Sequence, residues 1–292
     1  MRATTLLRVT TDDGVALAIH RLGPQQGPRV LLVSGTFSNA TFWLGTRGTG
    51  FARYLANEGC DVYVLEPRGH GESARPDRTQ RWNFDDWIRR DIPAALRSCT
   101  SHNESVVLIG HSAGGAAIIA ALAADPSLQK IVRGIVIVAT PLPWLQYWRG
   151  MFARAIRAVS RRVNWFPSKA LGLGPEDELA GVMAQWMTWN IDAKWVGDDG
   201  TDYGARFADV TVPMLVIAAA GDHIWAPPAA CHALFELAGS ANKTFMVCGK
   251  ESGFTHDFDH VEILVAKAAR SEVWPIIGKW LSALPEGLIG KA

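Results

Sequence analysis

Cysteine is scarce in this 292-residue chain. Its four copies, Cys60, Cys99, Cys231 and Cys248, show neither metal-ligand nor redox spacing, so they read as buried free thiols. An excess of either charge is missing too. Lys and Arg total 29 against 28 Asp and Glu, a formal net charge of +1, which argues against a nucleic-acid groove or an acidic tail. No window reaches the ~18 uninterrupted apolar residues of a membrane span. Residues 1–8 lack the apolar core and small-residue cleavage site of a signal peptide. The expectation is a cytoplasmic protein with no nucleic-acid partner and no stable membrane insertion. Internal repeats and low-complexity linkers are also lacking, so one domain with an insertion is the economical reading.

What the chain does have is a glycine-flanked serine. The apolar run 106–109 breaks on Gly110-His111-Ser112-Ala113-Gly114 and resumes as an alanine-rich run. That pattern reads as strand, tight elbow and helix with Ser112 at the tip. Side chains at Gly110 and Gly114 would strike the neighbouring strand and helix, and the strained turn lifts the hydroxyl clear of the sheet. A plain helix-capping serine is the competing reading.

The rest of the chain sets the elbow in a layered frame. Residues 5–22 alternate around Asp12-Asp13-Gly14, the signature of a hairpin of two antiparallel edge strands. Aliphatic runs at 29–33, 60–65, 106–109, 131–138, 212–220 and 243–248 alternate with helical spacing at 51–56, 84–99, 227–238 and 272–284. Buried parallel strands between amphipathic helices read this way. Pro93 should kink the 84–99 helix.

Between 141 and 208 the pattern changes. Trp144, Trp148, Trp165, Trp186, Trp189 and Trp195, half of the twelve tryptophans, fall here, mixed with Arg149, Arg154, Arg157, Arg161 and Arg162. Residues 141–208 are expected to form a helical cap over one end of the sheet, with 1–140 and 209–292 forming the core. The aromatics either line a pocket below the cap or make its own small core. A basic amphipathic helix lying on a membrane surface is a third reading, which leaves peripheral contact open.

A serine needs a base to take its proton and an acid to orient that base. Asp222 follows a buried strand at its carboxyl end, the edge where open α/β sheets bind ligands. For the base, His256 and His260 both lie in the loop after the last strand. The order Ser112, Asp222, His260 is the nucleophile, acid, histidine order of α/β hydrolases.

The chain resembles an α/β-hydrolase-fold serine hydrolase from about Val30 to Leu284. Several stretches are similar to the acid lipase and serine esterase group: Asn39-Ala40-Thr41-Phe42-Trp43, residues 50–63, residues 68–73, Phe84-Asp85-Asp86 and Asp91-Ile92-Pro93-Ala94. The resemblance implies an α/β-hydrolase fold, with a mostly parallel central sheet flanked by helices and a helical cap. It favours His260 over His256 as the base, because an apolar, acidic, apolar step follows His260 in Val261-Glu262-Ile263. It also implies an oxyanion hole built from the backbone N–H of Ala113 and one from Ser34-Gly35-Thr36-Phe37, with Thr36 the donor by position and Phe37 the alternative. Family members often carry His-Gly in that loop. Arg68 and His70 read as structural.

The expected activity is hydrolysis of a small carboxylic ester with an apolar acyl or alcohol part, through an acyl-enzyme, with no metal or cofactor. Phe37, His111, Trp144, Trp148, Trp186, Trp189 and Trp225 are the expected pocket residues. An amide, thioester or carbon–carbon bond hydrolase, or an acyltransferase, is the alternative within the fold. A non-catalytic ligand-binding module is the alternative of another class.

Overall fold

The computed structural model describes residues 4–77, 79–100, 104–142 and 147–285, with side chains omitted at 147–149. Eight strands form one sheet: β1 (Thr5–Thr10), β2 (Ala16–Leu22), β3 (Arg29–Val33), β4 (Asp61–Glu66), β5 (Val106–His111), β6 (Val132–Val138), β7 (Met214–Ala219) and β8 (Lys243–Cys248). Their order is β1-β2-β4-β3-β5-β6-β7-β8, antiparallel at the first two pairings and parallel thereafter. Only β1 of the expected edge pair lies at the edge, because β2 bonds to β4 on its far side. The inner parallel strands β3 to β7 are short aliphatic runs whose residues are almost all buried, as a sheet covered on both faces requires, whereas the edge strand β8 is mostly half-buried.

Among the described residues the seven longest helices are α1 (Phe51–Asn57), α2 (Ile92–Cys99), α3 (Ala113–Ala124), α4 (Tyr147–Ser160), α5 (Ala180–Asp192), α6 (Pro228–Leu237) and α7 (Trp274–Ala283). The continuous helix expected over 84–99 is interrupted. A turn at Phe84–Asp86 passes into a π-helical stretch, Trp87–Asp91, before α2 begins with Pro93 in its first turn. Proline has no N–H to continue the α ladder, and the wider turn ahead of it absorbs the mismatch. The last helix, expected over 272–284, is α7, with Pro275 in its first turn, and a separate short helix, Lys267–Glu272, precedes it.

Strand register puts the working ends together. Gly110 pairs with Val33, His111 with Val138, Ile217 with Val138 and Cys248 with Ala219. The segments that leave β3, β5, β7 and β8 therefore emerge along one edge, where an open α/β sheet places its ligands.

The segment between β6 and β7 carries α4, α5, a two-residue antiparallel bridge (Trp165–Phe166 with Glu178–Leu179) and a 3-10 turn at Gly204–Asp209. Its aromatic and apolar side chains divide into two groups. Trp189 and Trp195 are sealed, stacked at 5.5 Å, and Trp189 also meets Phe84 and Tyr203. Phe166 and Met183 instead pack against Phe37. Among the described residues, no helix is long and apolar enough to cross a membrane.

Candidate active site

Ser112 sits at the junction of β5 and α3 with φ 52° and ψ −125°, a strained conformation for a residue with a side chain. A Cβ on Gly110 would stand 2.5 Å from Gly115 Cα, and one on Gly114 would stand 2.4 Å from the Val33 carbonyl oxygen. Glycine is thus enforced at both flanks. The Ser112 N–H donates to Val138 O at 2.9 Å, and its carbonyl accepts from Thr140 Oγ1 at 2.9 Å. Bonds on both sides hold the tip in its unfavourable geometry.

The structure brings Ser112, His260 and Asp222 together across three separate chain segments. His260 Nε2 lies 2.9 Å from Ser112 Oγ, and His260 Nδ1 lies 2.6 Å from Asp222 Oδ2. Asp222 is buried. Its Oδ1 accepts the N–H of Trp225 at 2.9 Å and its Oδ2 that of Ala226 at 2.9 Å. Burial pushes the carboxyl up, but the His260 N–H and these amides outweigh it and hold Asp222 below the ordinary carboxylate range. An ionised acid facing Nδ1 fixes the tautomer that leaves Nε2 free to accept a proton from the hydroxyl.

His256 is elsewhere. It is exposed, bonded to Thr255 Oγ1 at 2.6 Å, and lies 5.9 Å in ring separation from Phe258.

His111, expected in the pocket, is a support. Burial, then the nearby His260, push its pKa down to about 3. The neutral ring donates from Nε2 to the His260 carbonyl at 2.7 Å and stacks on Phe42 at 4.6 Å. It therefore holds the backbone of the histidine that faces Ser112.

The loop after β3 passes directly over the elbow. A Cβ on Gly35 would stand 2.8 Å from Ser112 Cβ. Among the described residues, neither the Thr36 N–H nor the Ala113 N–H has a hydrogen-bond partner. The Phe37 N–H does. It donates to Glu178 Oε2 at 3.0 Å, so Phe37 is occupied and does not serve as the alternative oxyanion donor.

The remaining pocket residues separate. The Phe37 ring lies 6.3 Å from Trp225, and Trp225 lies 6.2 Å from His260, so both border the site. Trp186 and Trp189 do not. They belong to the aromatic stack with Phe84 and Trp195, which is continuous with the main core, and Trp189 Nε1 donates to Val196 O. Trp144 and the side chain of Trp148 lie outside the described residues. A cleft of about 530 Å³ lined by Val30, Tyr54, Cys60 and Arg133 lies at the opposite, amino-terminal ends of the parallel strands, away from Ser112, His260 and Asp222.

Sequence reasoning missed the roles of His111 and Glu178. Nothing local signals either, since each acts on a partner far away in the chain.

The sequence model of the alpha/beta hydrolase family matches residues 30–258. No curated sequence matches the chain. Among solved structures, the chain is similar to DcsB in complex with its substrate analogue (17% identity, 97% of this chain and 100% of that one, TM-score 0.71). It is also similar to a thermophilic esterase from Thermogutta terrifontis (19% identity, 95% and 98%, TM-score 0.65). A third likeness is to a monoacylglycerol lipase from Paleococcus ferrophilus (18% identity, 91% and 98%, TM-score 0.63).

Proposed function

This chain belongs to the alpha/beta hydrolase family, and from that premise we propose that it is a serine hydrolase of small carboxylic esters with an apolar acyl or alcohol part. The observation that carries the reading is the unbroken chain from Ser112 Oγ to His260 to Asp222, at 2.9 and 2.6 Å.

In this scheme His260 Nε2 takes the hydroxyl proton as Ser112 Oγ attacks the ester carbonyl, and Asp222 stabilises the imidazolium that forms. The free amides of Thr36 and Ala113 receive the oxyanion of the tetrahedral intermediate, a contribution of about 10²–10³ in rate per donor. His260 then protonates the leaving alcohol. Water, deprotonated by the same histidine, hydrolyses the acyl-enzyme.

Residues 141–208 act as a cap, a role supported by Phe166 and Met183 packing on Phe37. The apolar preference rests on Phe37 and Trp225 bordering His260, with Trp225 48% exposed and available to a bound chain. A fluorophosphonate should label the intact protein and not Ser112→Ala. Absent or equal labelling would remove the proposal. A panel of p-nitrophenyl esters graded by acyl length tests the apolar preference, and a response flat across length would sink it.

A further inference from the structure

Phe37 is gripped through its N–H, its carbonyl and its ring by a segment far downstream. Its N–H donates to Glu178 Oε2 at 3.0 Å across 141 residues of chain, and its carbonyl accepts from the Glu176 N–H at 3.1 Å. Its ring packs on Phe166 and Met183. The segment's backbone passes so close that a Cβ on Gly174 would stand 2.3 Å from Phe37 O. Next along the loop, Asn39 Nδ2 donates to Glu176 Oε1 at 2.8 Å.

The grip has something to hold. Phe37 has φ 65°, a left-handed conformation that costs a residue with a side chain about 1–2 kcal/mol and persists only where its surroundings impose it. Glu178 is fully buried, and the oxygen that receives Phe37 also faces His70 Nε2 at 3.2 Å. His70 Nδ1 in turn lies 3.3 Å from the Arg68 carbonyl. Arg68 is itself buried among Asp13, Asp86 and Asp91. The carboxylate thus stands between a rigid turn of the core and the loop that covers Ser112.

We propose that Glu178 is a positioning residue through which the cap segment holds the oxyanion loop in its working shape, so that Thr36 presents its amide to Ser112 only while the segment is seated. The effect on turnover rests on the ester-hydrolase reading. The fixed shape of the loop does not. Release of Glu178 frees Phe37 to leave its left-handed conformation, and Thr36, one peptide away, turns with it.

The test compares wild type, Glu178→Ala, Glu178→Gln and the milder Asn39→Ala by amide hydrogen exchange of the 35–40 stretch and by kinetics on a short p-nitrophenyl ester. In Glu178→Ala the Phe37 amide should exchange at least about tenfold faster while β5 is unchanged. In that variant kcat should fall about 10- to 100-fold with KM within about threefold, as expected when a transition-state donor is misplaced. Glu178→Gln keeps an acceptor for the Phe37 N–H and should fall between wild type and alanine in both readouts. Asn39→Ala should shift both a few-fold in the same direction, and it decides the matter if Glu178→Ala does not fold. Unchanged exchange in the variants removes the clamp. Faster exchange with unchanged kcat removes its role in turnover. Failure of wild type to hydrolyse esters or take the fluorophosphonate removes the hydrolase reading alone, and the exchange rates still decide the clamp.

Discussion

Two of the histidine–carboxylate pairs among the described residues, His260–Asp222 and His70–Glu178, differ in what the second ring nitrogen meets. His260 turns Nδ1 to Asp222 at 2.6 Å and Nε2 to a hydroxyl that can surrender a proton. His70 turns Nε2 to Glu178 at 3.2 Å and Nδ1 to a backbone carbonyl that can only accept. Both nitrogens of His70 are then donors, the pattern of an imidazolium. Burial pushes its pKa down, but the charge and hydrogen bond of Glu178 push it up further, above its ordinary value. On the proposed reading the first pair passes a proton back and forth, and the second keeps one. The chemistry of the partners is the same, and the geometry at the far nitrogen decides the use.

The sharpest way to break this contrast is at the first pair. Ser112→Ala or His260→Ala should lower hydrolysis of a short p-nitrophenyl ester by about 10⁴-fold or more, whereas His256→Ala should stay within about twofold. A dead His256→Ala beside an active His260→Ala would move the base to His256.

At the second pair the expected loss is of stability. His70→Phe leaves the Glu178 charge buried without its cation and should cost about 3–5 kcal/mol in urea unfolding. The pH dependence carries the sign. Because the folded pKa of His70 is raised above 6.5, its contribution is complete below that value and lost as pH climbs through the folded one. The groups facing it are Glu178, Glu176, the Arg68 carbonyl and the edge of Trp87. His70→Phe should therefore flatten the alkaline side of the stability profile. No change there would make the pair incidental.

His111 provides the opposite slope. With a folded pKa of about 3, it is charged below pH 6.5 only when unfolded, so stability falls as pH drops from 6.5 toward 3. His111→Phe should flatten that acid limb. It should also lower kcat about tenfold by loosening the His260 backbone. An unchanged acid limb would contradict the neutral buried ring. The smallest effect is at the rim. Trp225→Ala should raise KM for longer acyl esters about three- to fivefold and leave kcat on a short one nearly unchanged, because the amide that braces Asp222 belongs to the backbone.

Legibility in the residues depends on the range of each signal. The Ser112 elbow is local, five residues flanked by two periodicities, and the collision geometry at Gly110 and Gly114 is readable from the letters. Asp222 is legible because a strand end can be seen in an aliphatic run that stops. His260 needs a family resemblance, since two histidines four apart in one loop look alike until the fold turns one inward. The Glu178 clamp has no signature: one carboxylate meets one amide across 141 residues. The tryptophans mislead for a related reason. Composition says that Trp186 and Trp189 need burial, but not against what, and they pack on each other, on Trp195 and on Phe84 of the core. The π-helical stretch before Pro93 shows in the sequence only as a kink, because a proline announces a lost hydrogen bond without saying how the chain absorbs the slack.

The Trp189–Trp195 stack gives the segment between β6 and β7 an optical identity. Trp189 and Trp195 lie 5.5 Å apart with their rings 22° from parallel, close enough for their indole transitions to couple. An indole circular-dichroism couplet from this pair would report on the segment, while the backbone ellipticity reports on the whole molecule, α4 and α5 included. Heating or denaturant followed at the two signals would tell whether the segment and the sheet melt as one body or in sequence, with no label attached.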